Sequence, residues 1–104
     1  MVHPDDVKNI ALSLEGSSEK PHFERIAFVA NKRIFATLSS KDKTLNLMFG
    51  PQLQLIFCPP GSDVIFPVPN GWGRKGATTI DLTKASAKLV KSALEEAYKL
   101  KKKK

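Results

Sequence analysis

The residues best suited to chemistry lie in one short stretch, Gly71-Trp72-Gly73-Arg74-Lys75-Gly76. Two cations stand beside an indole and are framed by three glycines. The spacing matches G-x-G-x-x-G, which binds dinucleotides when it follows a strand and opens a helix within a βαβ unit. Here the glycines precede a strand-like run, Ala77-Thr78-Thr79-Ile80-Asp81-Leu82, so no nucleotide cofactor is expected. Three readings stay open. Trp72 can fold back as a lid on the core of a hairpin loop. The loop can be a basic wing, with Arg74 and Lys75 on phosphates and Trp72 positioning it. Or its backbone amides can cradle a small anion.

Other cations sit at predicted turns: Lys32 with Arg33, and Lys41 with Lys43. Between Arg25 and Lys75 there are seven basic residues against two acids, Asp42 and Asp63. Such an asymmetry can give a fold one positive face. The whole chain carries a formal +7, of which Lys99 and Lys101 to Lys104 supply five charges. That tail reads as a solvated end or as an arm that touches phosphates. Successive antiparallel strands turn at opposite ends, so the two turns lie apart and need not both face Arg74.

Several chemistries find no support. His3, His22 and Cys58 show no zinc spacing, and no metal or other cofactor is expected. Asp5-Asp6 and Glu95-Glu96 read as ordinary helix surface charge, and no catalytic set stands out, so no enzyme is expected. Cys58 follows an apolar run and reads as a small core residue; as the single cysteine it allows no internal disulfide. There is no apolar run of membrane-spanning length and no basic-then-apolar leader, which points to the cytoplasm; the oligomeric state is left open, with a monomer favoured.

The elements that must position these groups follow from periodicity. The 104 residues fit one domain, placed at 1–100, with a lysine-rich tail at 101–104. Pro4, Asp5 and Asp6 suit a helix start, and Val7, Ile10, Ala11 and Leu14 share one face, predicting a helix over 4–14. Ile26 to Ala30, Arg33 to Ser39 and Thr44 to Phe49 predict three meandering strands. Residues 51–57 fit either a strand or a short helix after Pro51. Val64 to Phe66 and Ala77 to Leu82 predict two more strands. A helix over 84–99, capped by Thr83, presents Leu89, Ala93, Leu94 and Ala97 to the sheet. The expected fold is α+β in two layers: an antiparallel sheet of about five strands with the N- and C-terminal helices packed on it.

Four blocks resemble the MmcQ/YjbR family. They are Ala11-Leu12-Ser13-Leu14-Glu15-Gly16; His22-Phe23 with Phe28 and Lys32 to Leu38; Asn70 to Gly76 with the threonines after it; and the closing helix with Ala93, Ala97 and Tyr98. Together they span nearly the whole chain in order. The resemblance implies a CyaY-like fold, similar to secretion chaperones, and DNA binding through a double wing of hairpins. Glu15, Val29 and Ala77 depart from the family's frequent proline, arginine and aromatic. The absent arginine removes one candidate phosphate contact.

The expectation is therefore a weak, largely sequence-nonspecific DNA-binding module. Its phosphate contacts would be Lys32, Arg33, Lys41, Lys43, Arg74 and Lys75, with Trp72 beside them. The alternative is a protein-interaction or chaperone-like module that uses the open face or edge of the sheet.

Overall fold

Two-residue hairpins set the geometry of the sheet. The structure, a computed structural model, describes residues 1–102. Asn31 and Lys32 both adopt positive φ, 51° and 64°, between the paired residues Ala30 and Arg33. That is the pattern of a type I′ turn, whose twist matches that of the strands it joins. It connects β2 (Arg25–Ala30) to β3 (Arg33–Ser39), and a longer turn leads to β4 (Thr44–Met48). The predicted meander is present.

A strand not expected from the sequence, β1 (Ser18–His22), pairs with β2. Helix α2 (Pro51–Phe57) follows β4, which resolves the ambiguous segment as helix. Next come β5 (Ile65–Pro67), the single helical turn α3 (Gly71–Arg74) and β6 (Ala77–Asp81). The sheet has six antiparallel strands in the order β1-β2-β3-β4-β6-β5. Both edge strands carry a proline, Pro21 and Pro67, which lacks the N–H that a further strand would need.

Helix α1 (Pro4–Leu12) opens the chain and α4 (Ala87–Lys102) closes it. The Asp6 carboxylate accepts from the His3 backbone N–H at the start of α1. At its end the Ser13 and Ser17 hydroxyls take the carbonyls of Ile10 and Ala11, so α1 stops two residues before the predicted boundary. The cap of α4 is Ser86, whose Oγ accepts from Leu89 N at 3.1 Å. Thr83 instead bonds Asp81 in the preceding turn, and α4 therefore starts later than its periodicity implied.

Helix α4 packs on β2, β3 and β4, and α1 packs on α4 and β3. Leu53 and Phe57 of α2 join the same core, with the Phe49 and Phe57 rings 5.1 Å apart. A bulge opposite Phe28 and Val29 inserts one residue into β3. It lets neighbouring Phe35 and Ala36 both be fully buried, and Phe35 meets the Tyr98 ring edge-on at 5.7 Å. The Tyr98 hydroxyl donates to the Glu15 carbonyl, tying α4 to the end of α1.

The centre of the α4 face is Val90, Ala93, Leu94 and Ala97; Leu89 lies at its margin, only partly buried. Leu94→Ala is expected to destabilise the fold by about 2–5 kcal/mol. Leu89→Ala should cost less than half as much. Urea denaturation of the two variants checks the ranking, and a larger loss at Leu89 would contradict this packing.

Candidate nucleic-acid interface

The sequence-predicted cations fall into two groups. Ala36 pairs with Leu47 and Met48 pairs with Ala77, so the start of β3 and the start of β6 lie at one end of the sheet. Lys32, Arg33, Trp72, Arg74 and Lys75 share that end. Lys101 and Lys102 join them as the last described residues of α4, and Asn31 Nδ2 donates to the Lys102 carbonyl there. They are thus continuous with the helix rather than a separate tail; the other two lysines expected in the tail lie outside the described residues. Lys41 and Lys43 sit at the opposite end, where Lys41 borders hollows shared with Phe23 and Arg25.

The Gly71 to Gly76 segment is a helical turn, not an open hairpin tip, and it is held tightly. A side chain at Gly73 would lie 1.9 Å from the Val68 carbonyl oxygen. Gly76 has φ +109°, and a Cβ there would stand 2.3 Å from the Phe49 oxygen. From α2, the Gln54 amide donates to the Gly73 and Ala77 carbonyls at 2.8 and 3.1 Å. The Asn70 side chain accepts from Trp72 N at 2.8 Å. Trp72 is not a core lid: the residue is 65% exposed, with the Lys75 ammonium 5.1 Å from the ring centroid. Arg74 and Lys75 are exposed on the same turn.

Sequence reasoning missed the middle of the site. Arg25, counted only for its charge, lies across the open face of the sheet. Its Nε donates to Thr37 Oγ1 at 2.9 Å, and Nη2 donates to the Thr37 and Thr44 carbonyls at 2.9 and 3.3 Å. Burial pulls its pKa below the ordinary arginine value, and the charge of Asp42 opposes that shift. A guanidinium stays protonated through such a shift. Beside it the Thr79 hydroxyl donates to Asn46 Oδ1 at 2.8 Å. Arg25, Thr37 and Asn46 floor a groove of about 580 Å³ walled by Phe23, Ile34, Met48 and Trp72. Among the described residues its charged lining is Arg25 and Lys101, with no carboxylate. The one available signal was Phe23 itself, an apolar residue between strand and turn.

The sequence from Leu12 onward fits a known pattern: a family model, YjbR, matches residues 12–100. The chain belongs to the YjbR family. Comparison with curated proteins and with solved structures gives no match. The α+β fold, with an open antiparallel sheet and helices laid on it, agrees with the expectation from sequence, at six strands rather than about five.

Among the described residues, no three His, Cys, Asp or Glu side chains gather as metal ligands, and no helix is long and apolar enough to cross a membrane. Cys58 is half-buried against the core; burial raises its thiol pKa, which a Thr78 hydrogen bond opposes. A thiol kept protonated is a poor nucleophile.

Gly76→Ala combines left-handed strain with a backbone clash and is expected to cost more than about 2 kcal/mol. Gly71 has open space where its side chain would grow, so Gly71→Ala should change stability by under about 0.5 kcal/mol. Denaturant midpoints of the two YjbR variants test this; equal effects would mean that the turn is not clamped.

Proposed function

We propose that this YjbR domain binds nucleic acid weakly and with little sequence preference, through phosphate contacts at the basic end of its sheet. The observation that carries the reading is the juxtaposition of Lys32, Arg33, Arg74 and Lys75 with Trp72 and the lysine-rich end of α4. Cations gathered in this way displace the counterions condensed on a phosphate backbone, and that release supplies nonspecific affinity. Lys41 and Lys43 lie at the far end and make at most a second, separate contact. The reading assigns no catalytic residue.

The alternative of protein docking finds less support on the sheet. Prolines interrupt both edges, and Arg25, Thr37 and Asn46 make the centre of the open face polar. Its best surface is instead α2, where Leu55 and Ile56 are 81% and 75% exposed.

Salt titration of binding to a labelled oligonucleotide tests the proposal. Affinity should fall with a log–log slope of roughly −0.7 to −0.9 per phosphate contact. The Arg74→Ala/Lys75→Ala double variant should weaken binding alike on all sequences and flatten the slope by up to about 2. A variant with Lys103 and Lys104 replaced by glutamine controls for the polylysine end. If that control alone abolishes binding, the folded surface is not the binder.

A further inference from the structure

The turn between β1 and β2 holds a residue that does nothing for the fold. His22 pairs with Arg25, leaving Phe23 and Glu24 as a two-residue hairpin turn. Of the two, Phe23 alone has positive φ, 59°. The type II′ pattern normally places glycine there. A bulky residue in that region is strained. The Phe23 side chain is also 96% exposed, touching the edge of the His22 ring at 5.0 Å. Strain and exposure together give a phenylalanine that the free protein would be better without. Strained backbone of this kind clusters at functional sites.

Phe23 borders three adjoining hollows, and Arg25 borders the same three. Across one of them stands Trp72, fixed by its clamped turn. Two exposed aromatic rings thus flank a floor made of a partly desolvated guanidinium and the Asn46 amide. Among the described residues the charge lining this groove is cationic; Glu19, Glu24 and Asp42 border the neighbouring hollows beside Lys41. Unstacked bases lie on exposed aromatic rings with little sequence preference, while cations follow the phosphates. Bases inside a duplex are already stacked and offer no face to such rings.

We infer that the open face of the sheet is a binding platform for single-stranded nucleic acid, with bases stacked on Phe23 and Trp72 and phosphates held by Arg25 and Lys101. This rests on the nucleic-acid reading above and adds the strandedness of the ligand and a second surface. Asn46 and Asn70 are amides lining the groove that suit a base edge. Charge complementarity favours this occupant: an apolar protein segment would bury Arg25 with only the Asp42 charge acting on it, and a strand of phosphates supplies further negative charge.

Trp72 is the chain's single tryptophan, so its emission reports directly on the platform. The experiment titrates the full chain with oligo-dT, with oligo-U of equal length and with a mixed-sequence duplex, at one fixed salt concentration. Both single strands should quench Trp72, and quenching by only one would assign the platform to DNA or to RNA. Phe23→Asn keeps a residue that tolerates positive φ and should unfold no earlier than wild type. It should weaken single-strand binding by roughly 5- to 150-fold, the range for losing one stacked base, and change duplex binding less than about twofold. Equal affinity for single strands and duplex, with Phe23→Asn neutral, overturns the platform and leaves the phosphate reading standing. Absence of binding to all three probes overturns both.

Discussion

The structure turns on a one-sided cover. Helices α1, α2 and α4 all contribute to a single core on one face of the sheet. Among the described residues no helix layer covers the other face, which holds together with little hydrophobic burial. Arg25 does this by reaching from β2 across β3 to β4 and donating to two threonines and their carbonyls. The Thr79–Asn46 bond continues the polar layer to β6. A sheet face built in this way is ordered, charged and partly dry, and it remains open to a ligand.

The covered face fixes what the open face displays. The bulge in β3 turns Phe35 and Ala36 inward together and, beyond it, leaves Ile34 as a wall of the groove. Gln54 enters from α2 and bonds the backbone on either side of Gly76, so the core-side helix holds the turn that carries Trp72. Gly73 and Gly76 are small because the Val68, Phe49 and Gly50 backbones approach them, not because the turn must move. Packing, rather than flexibility, accounts for the glycine spacing that resembles a nucleotide fingerprint.

Much of the fold was legible in the sequence. The apolar spacing of Val7, Ala11, Val90 and Leu94 marked both long helices, and short polar turns marked the central meander. Strand β1 was hidden because Ser-Glu-Lys-Pro-His has no apolar alternation; it is an edge strand paired through its backbone to β2, with Glu19 beside Lys8 of α1. Helix α2 was ambiguous because Leu53 and Phe57 face the core while Leu55 and Ile56 stay exposed, a pattern that fits neither period cleanly. Of the candidate surface, the glycine spacing marked Trp72, Arg74 and Lys75 and charge marked Lys32 and Arg33, and these come to one end. Phe23 and Arg25 were not, since turn propensity disfavours an aromatic there and a lone arginine carries no periodic signal.

Both faces of the sheet can be read at once by a two-dimensional NMR titration of the labelled protein with a single-stranded oligonucleotide. A ligand on the open face predicts shifts concentrated at Phe23, Arg25, Thr37, Asn46 and the Trp72 indole N–H, with Leu55 and Ile56 on α2 unmoved. Shifts confined to Lys99, Lys101 and Lys102 at the end of α4, with the open face silent, would contradict it.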